Sequence, residues 1–271
     1  MVNGETSGFA CSYSNCGGSG KLLCLYNKAP TNNQPLYTSN NPTCQDCPQG
    51  TTTCVNWLCQ STPYTPATDA NPQPSCTQNP GADKMTYEMQ ITARDMANYY
   101  RNLVATGWAK DKNGYTPTAK AMNALEYDCD TLGEDAQKLA DDCAATSYAS
   151  GIGMQLSYYK TRDLMLTEEQ VLEKAFSTWY GQLENVDLDD KANYDSKVES
   201  NAPDFAHLVL GDATKLGCSV KMCEPQGFSV AVCEFDGTAP SVDDELYTVG
   251  KACSGCSAGK SCHKDLLGLC V

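Results

Sequence analysis

Cys218-Ser219-Val220-Lys221-Met222-Cys223, followed past Gly227 by Phe228-Ser229-Val230-Ala231-Val232-Cys233, alternates its side chains with a period of two. The alternation predicts two strands joined by a turn at Gly227. Upstream, from residue 81 to 216, the period is mostly helical. Met85 to Thr106 places Ile91, Met96, Tyr99, Tyr100, Leu103 and Val104 on helical spacing, with Gly107 as a stop. Thr116-Pro117 reads as the start of a second helix carrying Met122, Leu125, Leu132, Leu139 and Ala140. Thr167-Glu168-Glu169-Gln170 is a capping box, and behind it Val171, Leu172, Ala175, Phe176, Trp179 and Leu183 form one apolar stripe. A fourth helix starts at Pro203 and buries Phe205, Leu208 and Val209. Helices packed on a small antiparallel sheet predict an α+β fold, a three-layer α-β-α sandwich.

The cysteines of the hairpin have counterparts near the start of the chain. Cys11 and Cys16 precede Leu22-Leu23-Cys24-Leu25-Tyr26, as Cys218 and Cys223 precede Val230-Ala231-Val232-Cys233-Glu234-Phe235. Leu36-Tyr37-Thr38 then leads to Cys44, Cys47, Cys54 and Cys59, as Leu246-Tyr247-Thr248 leads to Cys253, Cys256, Cys262 and Cys270. Seven cysteines recur in one order with nearly the same gaps, which is the mark of an internal repeat. The second copy closes a domain, so the first is expected to be the tail of another. Between them, Gln60-Ser61-Thr62-Pro63-Tyr64-Thr65-Pro66 and Asn71-Pro72-Gln73-Pro74 have the composition of a linker.

The chain has 271 residues, 17 of them Cys, and a formal net charge of −14. That cysteine density points to a secreted, disulfide-bonded, extracellular protein. Nineteen Lys and Arg against 33 Asp and Glu disfavour nucleic acid and anionic lipid as partners. No apolar run reaches the roughly 20 residues of a membrane span. The chain begins Met1-Val2-Asn3-Gly4-Glu5, without a charged or apolar leader, so either a signal was removed or the sequence starts within a longer protein.

The ordered motifs resemble the CAP superfamily, in particular the venom-allergen-like, Ancylostoma-secreted-protein types of parasitic nematodes. The family's His-Asn-x-x-Arg is similar to Ala97-Asn98-Tyr99-Tyr100-Arg101, and its Tyr-Asp-Cys to Tyr127-Asp128-Cys129. Its Trp-(Phe/Tyr)-Gly-Glu resembles Trp179-Tyr180-Gly181-Gln182. Its His-centred signature ending in Gly-Cys resembles Asp204-Phe205-Ala206-His207-Leu208-Val209-Leu210 through Leu216-Gly217-Cys218. Its second signature, Val-Val-Cys-x-Tyr, resembles Val230-Ala231-Val232-Cys233-Glu234-Phe235. Chains with two such domains exist in the family. The resemblance then implies that residues 1–59 are the hairpin and Cys-rich tail of a truncated first CAP domain and residues 60–80 a linker. Residues 81–250 would be the CAP domain and residues 251–271 a Cys-rich tail.

The same resemblance implies bridges Cys143–Cys223 and Cys218–Cys233, and it favours Cys76–Cys129 with two bridges among Cys253, Cys256, Cys262 and Cys270. Carried to the first copy, it implies Cys11–Cys24 and two bridges among Cys44, Cys47, Cys54 and Cys59. Cys16 is then the odd cysteine. Many CAP domains hold two His and two carboxylates in a cavity that can bind a divalent metal. Here those positions fall on Ser147, Met154, Gln182 and Asp204, a degenerate set that implies no metal and no cofactor. His207, three residues past Asp204 and on a different side of the helix, is expected at the cavity edge, and His263 on the tail surface. No nucleophile–base motif is present, and Asp141-Asp142 and Asp189-Asp190 read as solvated helix ends. Cys253-x-x-Cys256 reads as structural rather than redox-active.

The resulting expectation is a secreted, non-enzymatic protein that binds a host protein or cell-surface receptor for immune or haemostatic modulation. The alternative is a carrier of a small apolar lipid, a sterol or fatty acid, with Tyr99-Tyr100 and Tyr158-Tyr159 lining a groove.

Overall fold

A computed structural model describes residues 6, 9–16, 19–37, 54–55, 58–59, 76–79 and 81–271. The chain divides into two compact units, Met1–Ala70 and Asn71–Val271. In the first, β1 (Phe9–Cys16) and β2 (Ser19–Tyr26) form an antiparallel hairpin whose register sets Cys11 opposite Cys24. β3 (Cys54–Val55) and β4 (Leu58–Cys59) pair with Cys54 opposite Cys59. Cys24 and Cys59 are each disulfide-bonded. Cys44, Cys47 and residues 60–75 of the expected linker lie outside the described residues.

The second unit opens at Cys76, which is bonded to Cys129. Helix α1 (Tyr87–Ala105) starts where the Thr86 hydroxyl accepts the Met89 N–H, and Gly107 ends it with a positive φ of 73°. The expected second helix is not formed at Thr116. Residues 116–128 instead run irregularly through the short strands β5 (Met122–Asn123) and β6 (Glu126–Tyr127). Their amides are drawn to distant carbonyls: Lys120 N to Thr248, Asn123 N to Gly211, Ala124 N to Cys270, and Asp128 N to Leu216. Asn98 and Arg101 on α1 hold the same segment. Asn98 exchanges two bonds with Leu125, and Arg101 donates to Asn123 O. A wide turn at Cys129–Gly133 then feeds α2 (Glu134–Ala140), which is where the helix begins.

Strand β7 (Gln155–Thr161) follows, a strand the sequence pattern does not announce. Helix α3 (Glu168–Gly181) has the full capping box between Thr167 and Gln170 and buries Val171, Leu172, Ala175, Phe176 and Trp179. Side chains of this size contribute roughly 1.5–3 kcal/mol each on burial. Helix α4 (Ser196–Asn201), capped by Asp195, leads into α5 (Pro203–Val209). The hairpin β8 (Lys215–Cys223) and β9 (Phe228–Phe235) turns at Gly227 and sets Cys218 opposite Cys233, the relation Cys11 has to Cys24 in the first unit. Strand β10 (Leu269–Cys270) pairs with β5.

The main sheet runs β6-β8-β9-β7, and it is mixed rather than antiparallel because β6 lies parallel to β8. Helices α1, α3 and α5 cover one face over the larger core, which holds Trp179, Phe176, Phe205 and Leu216. Helix α2 covers the other over a smaller cluster of Ala136, Ala140, Cys223, Val230 and Val232. This is the α-β-α sandwich. Cys218–Cys233 bridges β8 to β9, and Cys143–Cys223 ties the end of α2 to the end of β8. In the tail, Cys253 bonds Cys262 and Cys256 bonds Cys270, so Cys253 and Cys256 are not bonded to each other and form no redox disulfide.

Candidate functional site

Of the four cavity positions, Gln182 and Asp204 meet. Gln182 sits where α3 tightens into a 3₁₀ turn, and Asp204 lies in the first turn of α5. Gln182 Nε2 donates to Asp204 Oδ2 at 2.7 Å, while Gln182 Oε1 accepts the backbone N–H of Asp204 at 3.0 Å and of Phe205 at 3.1 Å. The residue before α5 is Ala202, which has no capping group, so the Gln182 amide caps this helix from another element. A carboxylate at position 182 would face the Asp204 carboxylate with no proton between them. The amide fits because it both donates and accepts. Ser147 is exposed and Met154 half-buried, both in the loop between α2 and β7.

His207 turns away from that pair, toward the sheet. Its Nδ1 shares a hydrogen bond with Ser157 Oγ on β7 at 3.1 Å. Burial lowers its pKa, opposed by the charge of Asp204, so the ring is neutral at neutral pH. The Ser157–His207 contact has the atoms of a nucleophile and a base. Ser157 is fully buried in the sheet beneath α5, however, and Asp204 is engaged by Gln182, so the contact holds helix to strand. His263 is half-buried and accepts the N–H groups of Asp265 and Leu266, capping a turn in the tail rather than standing free in solvent.

Zinc takes thiolate, imidazole and carboxylate ligands. Among the four positions only Asp204 offers one, and its carboxylate is bonded to an amide, so these residues do not fit a metal ion. Among the described residues, two groups of ligand-type side chains approach each other closely, Cys76/Asp83/Cys129 and Cys253/Cys256/Cys270. Their cysteines are all in disulfides, which removes the thiolates a metal needs. Asp83 instead works as a buried acceptor for Gln90 Nε2 at 2.8 Å and Tyr127 O–H at 2.7 Å. Burial and then Asp83 push the Tyr127 pKa well up.

The tyrosines expected to line a groove are engaged in packing, and Tyr158 and Tyr159 face different cores. Tyr100 stacks on Tyr180 with ring centroids 4.2 Å apart, and Tyr159 packs on the larger core. Tyr158 belongs to the α2-side cluster, edge-on to Tyr148. A cavity of about 480 Å³ opens elsewhere, among Asn123, Asp212, Asp244, Glu245 and Tyr247. Its carboxylates suit a small apolar ligand poorly. Asp141-Asp142 is more than a solvated end: Asp141 bridges Lys84 and Lys221 from α2 across to β8.

A three-layer sandwich whose hairpin, helices and tail are held by five disulfides, with Gln182 bonded to Asp204 at the α3–α5 junction, defines a cysteine-rich α-β-α domain. Residues 94–235 match the cysteine-rich secretory protein (CAP) family, and the chain belongs to that family. It is 27% identical over 275 residues to the Ancylostoma secreted protein of Ancylostoma caninum, a match covering 97% of this chain and 62% of that protein. The chain therefore spans about three-fifths of that relative's length. Among solved structures it is similar to Na-ASP-1, with 25% identity, a TM-score of 0.64, and coverage of all of this chain and 68% of that one. It shares the fold of NaASP2 with Zn2+ at 24% identity and a TM-score of 0.63, over 72% of this chain and 100% of that one.

Proposed function

We propose that this chain is a secreted, non-enzymatic CAP-family protein that binds a host protein or cell-surface receptor in immune or haemostatic modulation. The observation that carries this reading is the Gln182–Asp204 pair. Gln182, an amide at a position where the family carries a carboxylate, caps α5 with its Oε1 and donates its Nε2 to Asp204 Oδ2. What is left is a rigid, disulfide-held scaffold with an acidic surface, which favours basic partners. Similarity to a protein named for its secretion supports the extracellular assignment. No helix among the described residues is long and apolar enough to cross a membrane. The matching registers of Cys11↔Cys24 and Cys218↔Cys233 support reading residues 1–59 as the end of a first CAP domain.

The test is binding of the labelled chain to host cells and serum proteins, with and without EDTA, beside Asp204→Asn. Asn keeps an acceptor for Gln182 but removes the carboxylate. The expected result is saturable binding that neither EDTA nor the substitution changes. Binding lost in EDTA, or turnover of a substrate that requires a metal, would refute the reading. Organic extraction that recovers a stoichiometric lipid would favour the carrier instead.

A further inference from the structure

The inward face of β9 reads Phe228, Val230, Val232 and Glu234, and the last of these breaks the apolar pattern. Glu234 is fully buried, neither carboxyl oxygen has a hydrogen-bond partner of good geometry, and the Ser150 hydroxyl is the donor that faces it. On the strands beside it the register sets Leu156 and Gly217, neither of which carries a polar side chain. The groups that face it are Asp135, in the first turn of α2 and itself buried, and Ser150 in the loop that follows. Among the described residues no cation acts on them. Lys138 is paired to Glu134, Lys84 and Lys221 to Asp141, and Lys215 to Asp128, while Lys160 donates to Ala145 O. Two carboxyls within reach of each other, under a helix and a loop and without a counter-charge, cannot both be ionised at low cost.

We propose that Asp135 and Glu234 share one proton, and that this proton latches the 147–154 loop onto α2. The hydrogen stays on a Glu234 oxygen and is donated to Asp135, so one charge remains in the layer. Asp135 Oδ2 also accepts the Gly151 N–H at 2.9 Å, which ties the loop to the pair. The loop is built around the contact. A Cβ on Gly151 would lie 2.9 Å from Asp135 Oδ1, so any larger residue here would push the carboxyl aside. Ser150 Oγ, beside Glu234, accepts the N–H groups of Ile152 and Met154 at 3.2 and 2.9 Å. The loop carries Ser147 and Met154, two of the four cavity positions, so its release would open that part of the family cavity.

Burial first, and then Asp135, raise Glu234 from the ordinary 4.5 to about 7, with Ser150 opposing. The folded state therefore holds the proton more tightly than the unfolded chain. The latch is complete below the ordinary glutamate value and is lost as pH rises through about 7.

The experiment is a carboxyl-carbon NMR titration of the full chain, with melting temperatures and amide exchange of Gly151 and Met154 followed from acid to mildly alkaline pH. The expected result is a glutamate that titrates near neutrality and vanishes in Glu234→Gln. The wild-type melting temperature should fall across that window, and the two amides should exchange faster than their intrinsic pH dependence dictates. Glu234→Gln, which keeps a donor for Asp135, should flatten both effects. Asp135→Asn should return Glu234 toward its ordinary range, which keeps the proposal testable if the first variant folds poorly. A Glu234 that titrates as an ordinary carboxylate, or a loop response that Glu234→Gln retains, would overturn the proposal. So would millimolar Ca2+ binding at this pair in place of the proton.

Discussion

Gly217→Ala should leave the second unit unable to fold. Gly217 lies on β8 beneath the turn that leads into α2, and a Cβ there would sit 2.5 Å from Leu132 C and 2.6 Å from Asp128 O. Those are backbone atoms, fixed by Asp128 N to Leu216 O at 2.7 Å and by Gly133 N to Asp128 O at 2.9 Å, so no side chain can swing aside. The Cys76–Cys129 bridge holds the same turn from the other side. The cost of such an overlap lies at the far end of single-residue effects, more than about 4 kcal/mol. Circular dichroism and denaturant titration of the purified variant check it. A variant that folds with a midpoint near that of the wild type would show that α2 does not rest on β8 as described.

Arg101→Met should cost about 3–5 kcal/mol, the range for uncoupling a buried, hydrogen-bonded charge. The guanidinium is fully buried at the meeting point of α1, β5 and the segment after α5. It donates to Asn123 O at 2.7 and 3.0 Å, to Leu208 O at 2.9 Å and to Leu210 O at 2.8 Å. Burial lowers its pKa to about 9 while Asp212 and Asp236 oppose the shift, so it stays charged at neutral pH. Methionine fills the space but leaves these carbonyls without a donor in a dry interior. Arg101→Lys keeps the charge and loses the fork, so it should also destabilise, by less. Urea unfolding of the three proteins measures this. A Met variant as stable as the wild type would mean that the carbonyls find other partners and that Arg101 does not organise the 116–128 segment.

That segment marks where the amino-acid pattern stops being readable. Helices α1 and α3 were legible because their caps and apolar stripes are local, and the β8–β9 hairpin because its alternation and cysteines are local too. Residues 116–128 carry apolar side chains at helical intervals, but their amides answer to Gly211, Leu216, Thr248 and Cys270, none of them within reach of a local pattern. Strand β7 escaped for a related reason. Helices cover both faces of the sheet, so Tyr158 and Tyr159 are partly buried on opposite sides and no clean alternation survives. At Gln182 and Asp204 the family resemblance implied only which residue types stand there. That the two bond each other and cap α5 depended on the fold. Glu234 follows the alternating stretch without standing out in it, and Asp135 comes to it only through the packing of α2.

Gln182 and Asp204 bond each other and Gln182 caps α5, and zinc titration calorimetry on the EDTA-stripped protein tests whether they also hold a metal. The expected result is no saturable zinc heat that distinguishes the wild type from Asp204→Asn. A stoichiometric zinc site that Asp204→Asn abolishes would contradict it.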